Sequence, residues 1–481
     1  MPSNRTEVPE QNREIMKMDV TPGGDPPVLG LPPAKSFATD DVDSAALYRK
    51  LQWRLLPFLF ACYVAAYLDR VNIGYAQLHM RAELGFNDAV YGLAAGLFFV
   101  SYFLCEVPSN FVLQRVGARR TLARILILWG LASSATMFIT GPHSFYALRL
   151  ILGAFEAGLA PGVMYYLTLW YPNRRRAEMT AIFLSGSMLA GVIGAPVSGF
   201  ILEGMQGVLG LRGWQWMFLL EGMPAVLLGL VALRILVDKP QDAPWLTSSE
   251  KELLRAEIDR DANLAAGGHA FGAAFRDPRI YVLALAYFTL VCGLYAITFW
   301  MPVMMQAAGV QGAAAIGLWS VIPYAVGGIG MVWLSRRSDR RQERRWHYAV
   351  CVGVGACALI GASLAGANLP VVLALLSVAT ATLFGAMPIF YGIPMAYLPE
   401  RSAAGGLALI NCLGLTGGFV SPFLLGWIRN ATGSLTPGLW FMTGLMLTGI
   451  VVLLLATRRP FTRVTPHPAT SGLAFRSEAG R

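Results

Sequence analysis

Four charged residues stand inside apolar stretches in the first half of the chain: Asp69, Arg70, Arg149 and Glu156. Each costs roughly 2.5–3.5 kcal/mol at the centre of a bilayer, so their presence asks for a chemical reason. An arginine offers a planar fork that grips a carboxylate with two parallel hydrogen bonds and stays charged at any working pH. A carboxyl group moved into a low-dielectric interior favours its neutral form and can take up and release protons. The set is therefore suited to holding an organic anion on Arg70 and Arg149 while Asp69 and Glu156 handle protons. The bland alternative is a pair of internal salt bridges.

Spacing sharpens this reading. At 1.5 Å per residue, Asp69 lies roughly 22 Å along its stretch from the basic end, and Glu156 roughly 18 Å from the opposite end of its own. Asp69, Arg70 and Arg149 thus share one level, with Glu156 deeper. Arg149, Gly153, Glu156 and Ala160 follow one helical face, so small residues between two charges leave a groove for water or ligand. Asp69 and Asn72 share a face, and Arg70 lies about 100° round, on the side of Tyr67 and Tyr63.

The elements that must position these groups follow from composition. Of 481 residues, 55% are hydrophobic and 14% charged, with a mean hydropathy of +0.53. Soluble domains carry roughly a quarter charged residues. That shortfall excludes an ordinary soluble enzyme, a disulfide scaffold and a disordered chain. Apolar runs of bilayer-spanning length lie near 54–78, 89–113, 120–140, 144–170, 179–203 and 214–237. Six more follow near 279–306, 313–334, 346–366, 370–397, 403–428 and 436–457. The fold expected is an all-α membrane protein of twelve helices, spans 1 to 12, in two pseudo-symmetric six-helix bundles at 51–237 and 279–457. A polar tail (1–50), a linker (238–278) and a second tail (458–481) complete the chain.

The net charge of +10 raises nucleic acid as a partner, but the basic residues sort onto alternate loops instead. Only Arg81, Arg212 and Arg429 fall on the other side, which predicts a plasma (inner) membrane protein with both tails and the linker cytoplasmic. The six cysteines lie in apolar runs without metal or redox spacing, and no histidine cluster suggests a metal site. No cofactor is implied. In the linker, Ser249 and Glu252 have the spacing of a capping box opening a short amphipathic helix.

The halves are related. A shift of 225 positions lays Gly92 on Gly317, Arg115 on Arg340, and Arg119-Arg120 on Arg344-Arg345. Parallel repeats flanking a central loop belong to transporters whose site lies between two bundles.

Four stretches then resemble a known family: YLDRVNIGYA at 67–76, RLILGAFEAGLAPGVMYYLTLWYP at 149–172, the SDR…ERRWH loop ending at His347, and IPMAYLPERSAAGGLALINCLGLTGGFVSP at 393–422. Together with PSNFVLQRVGARR at 108–120, they resemble the major facilitator superfamily, and within it the anion:cation symporters, which include sugar-acid, tartrate and hydroxyphenylacetate permeases. The resemblance implies substrate and coupling roles for Asp69, Arg70, Arg149 and Glu156. The superfamily's acidic residue in the first-half loop is Gln114 here, whereas Asp339 keeps the second-half version. Asp339, Arg340 and Arg115 are the expected gating residues, with anionic lipid as the alternative partner of the arginines.

Tyr102, Tyr295 and Asn411 are softer candidates for hydrogen bonds to substrate, beside Tyr67 and Asn72. Glu106 is expected to pair with loop arginines. The glycine-proline stretch Gly191 to Gly199 reads as close helix packing and leaves proton antiport as the alternative. The function expected is proton-coupled uptake of a small organic anion by a monomer, with sodium as the other possible coupling ion. No intramembrane hydrolase arrangement and no phosphate-binding loop appears, so an enzyme or an ATP-driven pump is not expected.

Overall fold

In lipid the backbone must satisfy its own hydrogen bonds, and a helix does so within each segment. The computed structural model describes residues 43–265, 275–398 and 400–457; of the expected tails at 1–50 and 458–481, residues 1–42 and 458–481 lie outside them, whereas Ser44 to Lys50 form the start of the first helix. Among the described residues, twelve helices are long and apolar enough to cross a membrane. The first six are Ser44–Leu84, Asp88–Val116, Ala118–Phe138, Pro142–Trp170, Asn173–Gly204 and Gly213–Ile235. The second six are Pro278–Ala307, Ala313–Arg341, Arg345–Leu364, Leu369–Tyr397, Gly405–Thr432 and Thr436–Ala456. Side-chain caps start several of them: Asn87 on span 2, Asp277 on span 7 and Asn368 on span 10 each accept a first-turn N–H.

Packing repeats from one half to the other. Span 1 lies on spans 5 and 6, span 2 on span 4, and span 3 on spans 4 and 6. Correspondingly, span 7 lies on spans 11 and 12, span 8 on span 10, and span 9 on spans 10 and 12. The two most extensive contacts between the halves, span 2 with span 11 and span 5 with span 8, are images of each other under the same repeat, and span 1 also lies on span 7.

Glycine makes those two contacts possible. A Cβ on Gly92 would stand 2.3 Å from the carbonyl oxygen of Pro422, and one on Gly317 would stand 2.3 Å from that of Ala195. Gly92 and Gly317 are the pair that the 225-residue shift superposes, so the repeat has a steric cause. The 191–199 stretch packs as its small residues suggest, with Gly191 against the Tyr324 ring and Gly199 against the Ala313 carbonyl.

The SDR…ERRWH stretch is a built corner between spans 8 and 9. Gln342 turns left-handed at φ 50°, and the Ser338 hydroxyl donates to the Glu343 carbonyl at 2.8 Å. Glu343 then caps span 9 through the Trp346 N–H at 2.7 Å and pairs with His347 Nδ1 at 2.8 Å. Partial burial pushes the Glu343 carboxyl up, but these bonds from Trp346 and His347 hold it below the ordinary carboxylate range.

The linker helix Ser248–Ala265 is capped two residues earlier than its sequence suggests. Thr247 Oγ1 accepts from the Glu250 N–H at 3.2 Å, and Glu250 accepts from the Thr247 N–H at 2.8 Å. Lys50 also holds Glu250, at 2.9 Å, which fixes the box on Thr247 and Glu250 rather than Ser249 and Glu252.

Replacing Gly92 with leucine should force spans 2 and 11 apart and cost about 1–3 kcal/mol of stability. A melting curve of purified protein in detergent tests this; an unchanged midpoint would show that the close approach is dispensable.

Candidate functional site

Span 1 carries adjacent residues of opposite charge, and a helix sends neighbours about 100° apart. Asp69 and Arg70 consequently find different partners. Asp69 is 2% exposed and turns toward span 3. Its Oδ1 accepts from Asn72 Nδ2 at 3.0 Å and from the Ser133 hydroxyl, and its Oδ2 accepts from Trp129 Nε1 at 2.8 Å. Three neutral donors thus surround one carboxylate.

Arg70 turns toward span 4 and meets Glu156. Its Nε donates to Glu156 Oε1 at 2.9 Å, and Nη2 donates to the same oxygen, while Oε2 has no partner. The pair is therefore joined through one carboxylate oxygen and leaves the arginine's fork incompletely used. Glu156 comes level with Arg70 because it is the last residue of the first helical segment of span 4, Pro142–Glu156. Gly158 breaks the helix with φ 94°, a conformation only glycine takes without strain, before Leu159–Trp170 resumes. A Cβ there would also meet the Ser109 hydroxyl at 2.5 Å.

Arg149 is set apart. It is 2% exposed, its Nε donates to the Ala94 carbonyl at 3.3 Å, and its Nη2 is unpartnered. Both guanidinium groups lie over the Phe98 ring, Arg149 at 5.1 Å and Arg70 at 5.4 Å from its centroid. The expected groove along span 4 is absent at Gly153, because the backbone of span 2 fills it: a Cβ there would stand 2.1 Å from the Phe98 carbonyl.

Aromatic side chains from both halves surround Arg70. Tyr102 places its ring centroid 5.3 Å from the guanidinium carbon, and Tyr295 of span 7 lies against the same arginine. Tyr295 stacks on Phe299 at 5.4 Å and meets Phe99 edge-on at 4.7 Å. Tyr67 is buried between Tyr63 and Tyr295. Asn411 accepts from the Tyr391 hydroxyl at 2.9 Å, and Tyr391 shares a hydrogen bond of 2.8 Å with Tyr287. Among the described residues Glu106 makes no ion pair with a loop arginine; its Oε2 is buried without a partner, and Arg70 is the cation that acts on it.

The two ends of the bundle differ. At the arginine-rich end, Asp339 pairs with Arg344 at 3.3 Å, and among the described residues neither Arg340 nor Arg115 makes an ion pair. The turn at Gln342 folds Arg344 back over Asp339. Arg344 also donates to the Gly392 carbonyl at 2.9 Å. At the opposite end, Asp88 of span 2 receives Arg429 of span 11 at 2.7 Å, Gln77 at 3.0 Å and Arg81 at 3.4 Å. Asp88 is 5% exposed, so this contact across the halves is a closed one.

Sequence reasoning missed Asp88, Tyr391 and the Trp129–Ser133 cage. It also missed Glu221 in span 6, which is 4% exposed and takes the Ser198 hydroxyl at 2.7 Å. The test of an acidic residue within an apolar run, applied to 214–237, would have found Glu221; the cage has no comparable signal. Trp129→Phe should remove one charge-assisted bond from Asp69 and cost about 1.5–3 kcal/mol, read as a lower melting midpoint in detergent. A midpoint equal to the parent's would mean Asp69 does not depend on the indole.

The chain matches the model of the Major Facilitator Superfamily over residues 59–422. It is 44% identical over 422 residues to the metabolite transport protein NicT of Pseudomonas putida, covering 87% of this chain and 97% of that one. It is 42% identical over 428 residues to a protein of Agrobacterium vitis named as a tartrate transporter, covering 88% and 94%. A quinolone resistance transporter of Acinetobacter baumannii is 41% identical over 408 residues, covering 84% and 93%. Among solved structures, a bacterial homologue of the human lysosomal transporter Spinster superposes with a TM-score of 0.70 at 17% identity, over 88% of this chain and 99% of that one. A D-xylose–proton symporter superposes with a TM-score of 0.62 at 16% identity, over 82% and 97%. Relatives and fold alike are those of multi-pass membrane transporters rather than enzymes, and the chain belongs to the Major Facilitator Superfamily, in the anion:cation symporter group that its motifs resemble.

Proposed function

We propose that the protein takes up a small organic anion together with protons, by alternating access between its two halves. The observation that carries this reading is the Arg70–Glu156 pair, whose single shared oxygen leaves a cation that a substrate carboxylate can claim. Protonation of Glu156 weakens its hold on Arg70 and frees the fork for the anion. Loss of that proton restores the pair and displaces the anion. Proton and anion therefore bind together and leave together, the sign required of a symporter. The coupling also has an energetic purpose, since a monoanion entering a negative compartment costs roughly 2.3 kcal/mol per 100 mV.

The basic loops orient the chain with both termini in the cytoplasm of a cell whose plasma (inner) membrane it crosses. On that orientation the Asp88–Arg429 contact closes the external end, and the paired Arg70 and Glu156 represent the anion-release arrangement. Tyr102, Tyr295 and the Tyr391–Asn411 pair supply hydrogen bonds and aromatic walls to the substrate, which fits sugar acids, hydroxy-dicarboxylates and aromatic carboxylates. Asp69 shares the proton work, Asn72 positions it, and Arg149 adds positive potential from behind Phe98. Asp339 with Arg344, rather than with Arg340 or Arg115, is the counterpart gate at the cytoplasmic end. The relative named for quinolone resistance supports a second reading, proton-antiport efflux of an organic acid, which reverses the direction of proton movement.

Proteoliposomes given an inward proton gradient and a panel of sugar acids, tartrate-like acids and aromatic carboxylates decide between them. Anion-dependent acidification of the lumen is expected; alkalinisation on substrate addition would establish antiport instead. In Glu156→Gln, gradient-driven accumulation should fall to the level reached without a gradient, while exchange of labelled for unlabelled substrate persists. Accumulation equal to the parent's would remove Glu156 from coupling. Arg70→Lys keeps the charge but loses the fork, so binding should weaken by about 1.5–3 kcal/mol, roughly ten- to hundredfold. A titration showing unchanged affinity would exclude bidentate recognition by Arg70.

A further inference from the structure

Glu221 lies in the middle of span 6 and is 4% exposed, yet no cation answers it. Its Oε1 accepts the Ser198 hydroxyl at 2.7 Å and its Oε2 has no partner. The neighbouring Asn72, 0% exposed, also has an unpartnered oxygen, Oδ1, while its Nδ2 is committed to Asp69. Two bare acceptors on adjacent buried side chains are a costly arrangement, of about 1–3 kcal/mol for each unsatisfied group. One proton on Glu221 changes this, because a carboxylic acid is a donor as well as an acceptor.

Spans 1, 3 and 5 pack against span 6. Span 1 presents Asp69, Asn72 and Tyr75 to Glu221, and span 5 presents Ser198. Span 3 presents the hydroxyl of Ser134 beside Gly222, and directs Trp129 and Ser133 to Asp69. Among the described residues the charged group facing Glu221 is thus a second carboxyl group. Two carboxylates without a cation between them cannot both be ionised in a low-dielectric interior, and the donors decide which is. Asp69 accepts from Asn72, Trp129 and Ser133, whereas Glu221 accepts from Ser198 and shares Asn72 with Asp69.

We propose that Glu221 is a proton-binding site, occupied in this conformation, with Asp69 as the ionised member of the pair. The site is distinct from the Arg70–Glu156 pair. It goes beyond the transport reading, since uptake and efflux would draw on it equally and its occupancy depends on neither.

Infrared spectroscopy of the full-length protein in phosphatidylcholine bilayers reads the proton directly, as the C=O stretch of a carboxylic acid. A band that persists at neutral pH is expected in the parent. It should vanish in Glu221→Gln, remain in Asp69→Asn, and move to higher wavenumber in Ser198→Ala, where the carbonyl loses its donor. Loss of the neutral-pH band in Asp69→Asn, or its survival in Glu221→Gln, would place the proton elsewhere and overturn the assignment. No transport is measured, so failure of the uptake reading leaves this result standing, and the reverse also holds.

Discussion

Charge in an apolar interior must be offset locally, and the first half of this protein is arranged around that requirement. Arg70 and Glu156 offset each other, Asp69 is surrounded by three neutral donors, and Arg149 rests on a carbonyl and an aromatic face. Each solution fixes a helix contact. The Asp69 cage ties span 1 to span 3, and the ion pair ties span 1 to the broken middle of span 4. The break at Gly158 serves the same need, because it ends the helix where the Glu156 carboxyl can reach Arg70. Polar satisfaction here is a constraint on backbone path as well as on side chains.

A second constraint is symmetry. The two most extensive contacts between halves, span 2 with span 11 and span 5 with span 8, use glycines one repeat apart. At these seams backbone meets backbone at Gly92 and Gly317, and the rings of Phe419, Phe99 and Tyr324 pack flat on other glycines. The polar locks do not share this symmetry. Asp88 gathers Arg429, Arg81 and Gln77 at one end, whereas Asp339 at the other holds only Arg344 and is largely exposed. One end is therefore closed by buried charge and the other is held by a solvated turn, a difference that gives the conformation its polarity.

The sequence made the twelve spans, the linker helix and the internal repeat legible, because bilayer thickness and helical rise leave little freedom in length. It also exposed Asp69, Arg70, Arg149 and Glu156, since isolated charges in apolar runs stand out. What it could not provide was the pairing. Periodicity put Arg149 and Glu156 on one face of the helix Pro142–Glu156, but the span 2 backbone at Gly153 fills the groove between them, so each finds its own partner. Asp339 pointed to Arg340 by adjacency, yet the left-handed turn at Gln342 delivers Arg344. The Trp129–Ser133 cage was invisible for a different reason: neutral donors in a membrane helix look like ordinary packing until a carboxylate is seen between them. Glu221 was as legible as Glu156 by the same criterion, and only its lack of an arginine nearby in sequence kept it from notice.

The distribution of charge across the halves suggests how coupling and selectivity divide on the proposed reading. Asp69, Arg70, Glu106, Arg149, Glu156 and Glu221 all lie in spans 1 to 6, whereas the interiors of spans 7 to 12 carry no acidic or basic side chain. What the second half brings to Arg70 is neutral, Tyr295, and beside Tyr295 runs the chain of hydrogen bonds from Tyr287 through Tyr391 to Asn411. Tyrosines and an asparagine offer shape and hydrogen bonds at little desolvation cost, so they can vary without disturbing the ionisation of the other half. An arginine held by a carboxylate demands the reverse, since any change to one member leaves the other buried and uncompensated. Separate placement allows the proton machinery to stay constant while the facing wall adapts.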